Sequence, residues 1–526
     1  MRKVRSFDTT PELSFRKKLW AEGIRYRTSS LSLPGKPDIV ISSKRVSIFI
    51  DGDFWHGGQW DRRGFASIED QFKNVQNKEY WIKKIRRNID RDFSSTSKLL
   101  SAGWTVIRFW ESELRKNLKR CVEMAINSVK YGPDFDTYSL LPQRTFAEFF
   151  AGIGLMRIGL ERQGWTVTFA NDIDQQKYEM YKGHFSDADS HYILQDIHTL
   201  ATDQVPVFSL ATASFPCNDL SLAGAREGLC GKQSSAFWGF IDILEQMGKC
   251  RPPMVLLENV TGFLTSHKGE DFRQALLSLN RLGYIVDAFI LDAASFVPQS
   301  RQRLFVIGIF GEECELKEKK APPIFFQSEV RPKALANFIL KTPEIRWNIR
   351  KLPSPPENKL KIKDILDDVP DSSDEWWSDE RAEYLLNQMS PRHREIAEKM
   401  ISGSEWSYGT VFRRIRNNKS MGELRTDGLA GCLRTPRGGS GRQILFKAGK
   451  GKYFARLVNP RECSRLMGAG EYDITVPLNQ ALFGFGDAVC VPVIEWIAKH
   501  YLNPVVNELI KNRVLNLPVL GDCYAK

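Results

Sequence analysis

Apolar and polar positions along the chain first define a region that ends near residue 135. Short apolar runs at 38–41, 46–50 and 104–109 predict buried strands, because β-branched residues are frequent in them and polar residues bound them. Helical patterns lie before, between and after these runs, at 11–20, at 79–93 and beyond residue 110. The order of these patterns predicts a small α/β domain over residues 1–135.

A second region begins at Arg144, after a turn-rich stretch at 131–142 that is typical of a linker. Strand-like and helical patterns then alternate, which indicates a parallel sheet with helices on both faces. The alternation fades after Gly308, and Pro, Gly and charged residues become frequent. Helical patterns return at Pro460 and end in a predicted helix at about 491–501. We therefore expect domains at 144–325 and 326–455, with 456–526 packing back on the first of these.

Length and composition limit the class of protein. A chain of 526 residues is too long for one ordinary core, and its 42% hydrophobic and 26% charged residues exclude global disorder. The first residues lack the pattern of a secretory signal, and no apolar run approaches the roughly 20 residues that span a bilayer. We therefore expect a cytoplasmic protein that does not enter a membrane. None of the nine cysteines forms a Cys-x-x-Cys pair, which argues against a disulfide framework and against a zinc site of that type.

Positive charge is concentrated in two zones of a chain whose net charge is +12. Residues 1–140 hold 27 Lys and Arg against 17 Asp and Glu, and residues 411–460 hold 12 against 2. Two such zones suggest two surfaces that meet a polyanion, with solvated basic faces as the alternative.

A glycine-rich turn, Gly152-Ile-Gly154, follows the apolar run 145–150 and precedes a helical pattern. Glycines at such a place let a nucleotide approach the backbone closely. Asp172 lies about 20 residues further on, where an acidic side chain can bind ribose hydroxyls. The turn is a candidate nucleotide-binding loop, and a glycine turn with a helix cap is the alternative.

Cys217 follows Pro216 and a strand-like run at 208–215. A thiolate is strongly nucleophilic and suits addition to C6 of a pyrimidine ring, which makes C5 reactive towards a methyl donor. The addition needs a proton or a strong hydrogen bond at N3, which Glu258 can supply from the end of the next strand-like run. Arg301 and Arg303 can hold O2 of the ring and a nearby phosphate. For any single cysteine a buried core position is the better interpretation, but the combination with Glu258 and the two arginines argues against it for Cys217.

The first region has candidate chemistry of its own. Asp38 begins one predicted strand and Asp51 follows the next, with Phe54, Trp55 and His56 just after. Carboxylates at the ends of adjacent strands form a hard-oxygen site that suits Mg²⁺. His56 can act as general base through a water, and the two aromatic residues can wedge between base pairs. Turn aspartates beside an aromatic core are the alternative.

From about Arg144 to the C-terminus the chain resembles the bacterial DNA (cytosine-5)-methyltransferases. The resemblance rests on ordered motifs at 149–154, 216–217, 258–260, 299–303, 461–468 and 484–489. It implies a Rossmann-like S-adenosylmethionine-dependent methyltransferase fold, S-adenosylmethionine as methyl donor, and a target cytosine flipped out of double-stranded DNA. It also implies a target-recognition domain within 326–455, which contains the second basic zone.

The same resemblance implies a role for individual residues. Cys217 is the implied nucleophile, supported by Glu258, Arg301 and Arg303. The implied cofactor contacts are Phe149, Gly152, Gly154, Asp172, Ile173, Asp196, Asp487 and Ala488. Four positions depart from the usual pattern, and the departures bear on cofactor affinity more than on activity. Asn218 and Leu220 replace Gln and Phe, Ile173 stands where an aromatic ring often stacks on adenine, and Asp487 stands where Asn is common.

Residues 1–115 resemble the very-short-patch repair endonucleases, a family that nicks DNA beside a T:G mismatch. The shared segments lie at 12, 33–38, 51–56, 80–91 and 110–111. The resemblance implies a restriction-endonuclease-like α/β fold, Asp38 as metal ligand, His56 as base, and Glu12 and Asp90 as supporting groups. Asp51 stands where some members carry a histidine, which could add a metal ligand or remove a phosphate contact. Others bind zinc through positions that are Asp53, Gly58, Trp60 and Ser112 here, so we expect no zinc.

Together the resemblances predict one polypeptide that methylates cytosine in duplex DNA and nicks T:G mismatches at the same sites. A restriction–modification fusion whose nuclease cuts unmethylated DNA is the alternative. A DNA-binding module with a lost active site is a third interpretation, against which the retained Asp38, Asp51 and His56 argue. The sequence does not give the DNA target, names no protein partner and is compatible with a monomer.

Overall fold

The structure is a computed structural model. It describes residues 9–28, 32–56, 65, 68–102, 104–131, 144–216, 236–248, 251–311, 327–416, 419–435 and 442–515. Five of the residues singled out above lie outside the described residues: Gly58, Trp60, Cys217, Asn218 and Leu220. The chain divides into two compact units, one formed mainly by residues 1–143 and the other mainly by residues 144–526.

The first unit is a four-stranded sheet with helices packed against it. Its strands are β1 (Arg27–Thr28), β2 (Ile39–Ile41), β3 (Val46–Asp51) and β4 (Thr105–Trp110), in that spatial order. β1 to β3 run antiparallel, and β4 runs parallel to β3. The helices are Thr10–Ala21, Ile68–Gln71, Lys78–Ser101 and Glu111–Tyr131.

The elements predicted for the first region are present, and one is longer than predicted. β2 is buried at every position, as an apolar run without polar breaks requires. The first helix begins at Thr10, where Thr9 and Glu12 form a capping box. The basic helix predicted at 79–93 continues to Ser101, because its amphipathic pattern continues and buries Leu99.

The second unit is built on a seven-stranded sheet with the spatial order β10-β11-β9-β8-β5-β6-β7. The strands are β5 (Thr145–Phe149), β6 (Thr166–Asp172), β7 (Tyr192–Leu194), β8 (Leu210–Ala213), β9 (Met254–Val260), β10 (Tyr284–Asp292) and β11 (Gln302–Phe310). Helices Leu155–Glu161, Gln175–His184, Ala236–Gln246 and Glu270–Arg281 connect them.

Five strands of this sheet, β5 to β9, run parallel, whereas β10 and β11 are antiparallel to their neighbours. Parallel pairing needs a crossover of a dozen or more residues, and the connection between β10 and β11 is shorter than that. The prediction of a parallel sheet therefore fails for these two strands. The chain leaves β5 towards β6 on one side and later returns to β8 on the other, which opens a crevice at the carboxyl ends of the central strands.

Residues 327–459 add a smaller antiparallel sheet with the order β13-β12-β14-β15. Its strands are β12 (Ser407–Arg416), β13 (Lys419–Arg425), β14 (Ile444–Gly449) and β15 (Lys452–Leu457). Helices Asp379–Asn387 and Pro391–Ile401 contribute Leu385 and Ala397 to a core shared with Val411 and Phe446. A further helix, Lys333–Lys341, precedes them.

The C-terminal helices are Pro460–Leu466, Leu478–Asp487, Val491–Ile497 and Asn503–Leu515, with a π-helical turn at Ala498–Leu502. By length and composition alone, the segment Leu478–Leu509 could cross a membrane, with a mean hydropathy of 1.6 over an 18-residue window. The sequence analysis found no uninterrupted apolar run of that length, because scattered polar residues break up this segment. However, 72% of that window is buried inside the protein, as in a core helix, so it is weak evidence for a membrane span.

Candidate active sites

The predicted cofactor loop joins the end of β5 to the helix Leu155–Glu161. Its backbone is left-handed at Phe150, Gly152 and Gly154, with φ of 58°, 55° and 80°. Gly154 is required by space as well, because a Cβ there would lie 2.5 Å from the ring of Phe185. A Cβ on Gly152 would meet its nearest atoms only at 4.0 Å. The loop therefore leaves room in front of Gly152, as close approach of a ligand requires.

An acidic residue anchors this loop from the end of β6. The carboxylate of Asp172 accepts hydrogen bonds from the backbone N–H groups of Gly152 and Asp174, both at 2.9 Å. Burial raises the pKa of Asp172, while nearby Lys177 opposes that change. Ile173 follows with 67% of its surface exposed, which places an apolar face beside the loop.

The predicted cofactor residue Phe149 and its neighbour Phe150 differ in burial. Phe149 is fully buried against the rings of Phe169, Phe208 and Phe240, inside the core. Phe150, which the sequence analysis did not select, is the half-buried aromatic residue of the loop itself.

Asp196 and Asp487 complete the predicted cofactor contacts. Asp196 is half-buried, and its carboxylate caps the turn that follows by accepting the N–H of His198 at 3.0 Å. Asp487 ends the helix Leu478–Asp487, and its carboxylate lies 3.0 Å from the ammonium of Lys177. The sequence analysis missed Lys177, although its position in the turn after Asp172 is a usable signal.

The carboxyl end of β9 holds the predicted catalytic acid, beside the amino end of the antiparallel strand β11. Glu258 is buried, and one of its carboxylate oxygens lies 3.0 Å from Nε of Arg303. Its neighbour Asn259 donates a side-chain hydrogen bond to the carbonyl of Phe215 at 3.2 Å. Phe215 precedes Pro216 and Cys217, so this bond connects the end of β9 to the segment that carries the predicted nucleophile.

The other polar residues of the Gln-x-Arg-x-Arg motif are buried and bind backbone. Arg301 donates to the carbonyls of Leu433, Gly486 and Ala488 at 2.8, 3.1 and 2.6 Å. Gln299 donates to the carbonyl of Leu466 at 2.8 Å and accepts the N–H of Leu433 at 3.0 Å. The donors of Arg301 are therefore directed to protein carbonyls, whereas the sequence analysis expected them at the base or phosphate.

A second thiol lies beside these arginines. Sγ of Cys432 is 3.3 Å from Nη1 of Arg301. Burial acts to raise the pKa of Cys432, but the charges of Arg301, Arg303 and Arg434 outweigh burial and lower it.

In the first unit, Asp38 stands before β2 and faces β3. One carboxylate oxygen accepts the backbone N–H of Ile50 at 2.7 Å. Burial raises the pKa of Asp38 to about 6, and the carboxylates of Glu12 and Asp51 add to that effect. Glu12 itself is ion-paired with Arg16 on the same helix.

Asp51 is bound to a buried arginine. Both of its carboxylate oxygens accept hydrogen bonds from Arg108, each at 2.6 Å. The two side chains are only 8% and 9% exposed. Asp51, expected as a metal ligand, thus has its oxygens directed to a guanidinium. Arg108 was missed, although a charged residue inside an apolar strand is a signal that a sequence can give.

His56 lies between two carboxylates. Its Nδ1 is hydrogen-bonded to Asp92 and lies 3.4 Å from Asp51, and ligand atoms of these three residues lie within 4.8 Å of one another. Burial acts to lower the pKa of His56, but Asp92 and Asp51 outweigh burial and raise it. The sequence analysis named Asp90 as the supporting group, and the structure brings Asp92 to the histidine.

The aromatic residues beside His56 pack together. Phe54 and Trp55 contact Trp81 with ring centroids 5.6 and 5.8 Å apart, and the ammonium of Lys84 lies 5.0 Å from the ring of Trp55. Asp53 accepts two hydrogen bonds from Ser112, one from its backbone N–H and one from its hydroxyl. These are two of the four positions that the sequence analysis compared with zinc ligands.

Comparisons with known proteins agree with this division into two units. The family model for C-5 cytosine-specific DNA methylase matches residues 144–503, and the model for the DNA mismatch endonuclease Vsr matches residues 1–62. The type II nicking enzyme V.NmeDIP of Neisseria meningitidis serogroup C is 42% identical over 130 residues, which are 25% of this chain and 83% of that protein.

Two further relatives match the larger part of the chain. The type II methyltransferase M.DsaV of Dactylococcopsis salina is 28% identical over 368 residues, covering 69% of this chain and 86% of that protein. The solved structure of the S. pombe Dnmt2 methyltransferase is 17% identical with a TM-score of 0.45, covering 69% of this chain and 98% of that one. The chain belongs to the C-5 cytosine-specific DNA methylase family and carries a Vsr mismatch-endonuclease domain at its N-terminus.

Proposed function

We propose that this enzyme methylates C5 of cytosine in duplex DNA with S-adenosylmethionine as donor, and that its first unit nicks T:G mismatches with Mg²⁺. The observation that carries the first half is the Glu258–Arg303 pair. It lies at the same sheet edge as the loop around Gly152, beside the segment that leads to Cys217. We further propose that the enzyme works in the cytoplasm, with duplex DNA and S-adenosylmethionine as its substrates.

The residues of the cofactor edge fit the proposed donor. Gly152 leaves space at the loop, and Ile173 offers an exposed apolar face of the kind that contacts an adenine ring. Phe150, rather than the buried Phe149, supplies the aromatic ring of the loop. When bound, S-adenosylmethionine supplies an electrophilic methyl group.

The reaction starts at the thiol of Cys217. Its thiolate forms a bond to C6 of the flipped cytosine, and electron density moves to C5, which takes the methyl group. Glu258 holds a proton at N3 during this step, and Arg303 holds the Glu258 carboxyl in place. Loss of the C5 proton then breaks the bond between sulfur and C6 and restores the ring. Arg301 has a structural role, because its hydrogen bonds connect the segment at 433 with the segment at 486–488.

The first half is tested by replacing the nucleophile. Cys217→Ser should abolish methyl transfer to duplex DNA and leave cofactor binding unchanged. Cys490→Ala is the matched control, because Cys490 is a buried core residue and its variant should still methylate. Bisulfite sequencing of DNA from expressing cells would give the target site. Full methylation by Cys217→Ser would overturn the mechanism.

The second half depends on the site around Asp38 and His56. Mg²⁺ usually keeps several waters and takes one or two carboxylates together with a substrate phosphate. Asp38 fits as the single carboxylate, since one of its oxygens accepts the N–H of Ile50 and the other remains to face a metal. When bound, Mg²⁺ supplies a Lewis acid for phosphate cleavage. His56, held by Asp92, removes a proton from the attacking water.

Three duplexes test the nuclease and separate it from restriction. One carries a T:G mismatch at the bisulfite-mapped site, one is perfectly paired and unmethylated, and one is hemimethylated. Nicking of the mismatch alone, with Mg²⁺, supports the proposal. Cleavage of the unmethylated paired duplex would support a restriction–modification fusion instead. Asp38→Ala should remove nicking, and equal cleavage by this variant and the wild type would refute the site.

A further inference from the structure

Lys177 lies between two residues predicted to contact the cofactor. It belongs to the first turn of the helix Gln175–His184, which Asp174 caps through its carboxylate. The Lys177 ammonium is 3.0 Å from the carboxylate of Asp487, and the lysine interacts electrostatically with Asp172 across the loop. Its Cδ would lie 4.0 Å from a Cβ on Gly152. Lys177 therefore stands at the open side of the cofactor loop.

Other contacts already join the two helices that Lys177 and Asp487 connect. Gln480 donates to the carbonyl of Gln176 at 2.7 Å and to Glu179 at 3.1 Å. Gly484 packs so tightly on Met180 that a Cβ would come within 2.7 Å of the sulfur. The Lys177–Asp487 ion pair is therefore not the main contact that holds these helices together. The Asp487 side chain is 46% exposed.

The charges around the loop are unbalanced. Asp172, Asp174 and Asp487 are three carboxylates that act on one ammonium, that of Lys177, which gives these four residues a formal charge of −2. Burial acts to lower the pKa of Lys177, but Asp487 and Asp172 outweigh burial and raise it. Lys177 thus stays positively charged within a group of four residues whose formal charge is −2.

The methyl donor and its product differ by one unit of charge. S-adenosylmethionine carries a sulfonium, an ammonium and a carboxylate, whereas S-adenosylhomocysteine has lost the sulfonium charge with the methyl group. We propose that Lys177 and Asp487 set how strongly this site prefers the charged donor over its neutral product. This inference rests on the proposed function of the site. The preference would aid release of the product after each turnover.

Calorimetric titration of the full chain with each ligand, without DNA, tests the proposal at low salt. The measured quantity is the ratio of the dissociation constant of the product to that of the donor. Asp487→Asn removes one negative charge beside Lys177 and should lower the ratio about two- to fivefold, the size expected for one partly exposed charge. Lys177→Gln should raise the ratio by a similar factor. Added salt should bring all ratios closer together.

The double variant K177Q/D487N restores the formal charge of the wild type, so its ratio should return to the wild-type value. Lys182→Gln is the control, because Lys182 pairs with Asp189 on the exposed side of the same helix. The proposal is overturned if both single variants move the ratio in the same direction. It is also overturned if they weaken both ligands equally, as a structural role or a contact with the shared carboxylate would. Failure of the wild type to bind either ligand would instead refute the proposed cofactor site.

Discussion

Replacing Arg108 by methionine tests the charge arrangement at the centre of the nuclease site. Arg108 donates to both oxygens of Asp51 at 2.6 Å, to Oγ1 of Thr96 at 3.2 Å, and lies 3.5 Å from Asp92. Arg108→Met keeps most of the side-chain volume and removes the cation. Asp51 then remains as a buried carboxylate close to the acidic side chains of Asp38 and Asp92.

The size of the effect follows from the burial of the pair. Removing one partner of a buried ion pair typically costs about 3–5 kcal/mol, because the other charge stays buried without compensation. The double variant D51N/R108M removes both charges of this ion pair, so the carboxylate of Asp51 is not left without its cation. We therefore expect it to be about 2 kcal/mol more stable than Arg108→Met alone, because most of the cost in the single variant comes from the uncompensated buried charge.

Hydrogen exchange of the β3 and β4 amides in the full chain measures this local stability, without requiring the whole chain to unfold in one step. Arg86→Met is the control, because Arg86 pairs with Glu69 at the surface and should change stability by less than about 1 kcal/mol. Unchanged protection of β3 in Arg108→Met would refute the reasoning. If Mg²⁺ fully restored the protection of β3 in Arg108→Met, Asp51 would be identified as a metal ligand, as the sequence first indicated.

Three further predictions follow from the two sites. Asp92→Asn should lower nicking at least about 100-fold by releasing His56, whereas Asp90→Asn should nick nearly normally in the same assay. Arg303→Met should lower the rate of methyl transfer about 100-fold without changing donor affinity in titrations, because it acts through Glu258. Burial, with Arg157, lowers the pKa of His191 to about 4, so His191 stabilises the fold fully above pH 6.5 and this contribution is lost as the pH falls towards 4. Denaturant titrations at a series of pH values should show the free energy of unfolding falling by about 1–3 kcal/mol for this reason as the pH decreases from 6.5 towards 4. In His191→Gln this decrease should be smaller.

The strand-end residues of the methyltransferase half could be located from sequence. Asp172 and Glu258 each lie in the last three residues of a parallel strand, and such ends meet at one edge of a sheet. What the sequence could not give is the direction of a buried side chain. Every residue of β5 is buried, so no alternation of apolar and polar positions distinguishes Phe149 in the core from Phe150 at the turn.

The roles of the two motif arginines could not be separated from sequence either. Arg301 and Arg303 are two residues apart and point to the same side of an extended chain. However, Arg301 precedes β11 and meets carbonyls from 433 and 486–488, segments more than 130 residues away in the chain. Only Arg303, inside β11 and paired in register with Val260, reaches Glu258. Long-range backbone partners of this kind leave no pattern in a single sequence.

The nuclease site shows a different case, in which a single contact combined with helical periodicity identifies the partner of His56. Residues two apart on a helix point about 200° away from each other, whereas residues four apart share a face. Asn88 donates a hydrogen bond to the carbonyl of Trp55 at 2.9 Å, so its face of the helix Lys78–Ser101 looks at the loop that carries His56. Asp92, four residues on, shares that face and is hydrogen-bonded to His56. Motif likeness alone could not choose between the two aspartates, but helical periodicity selects Asp92 as the partner of His56.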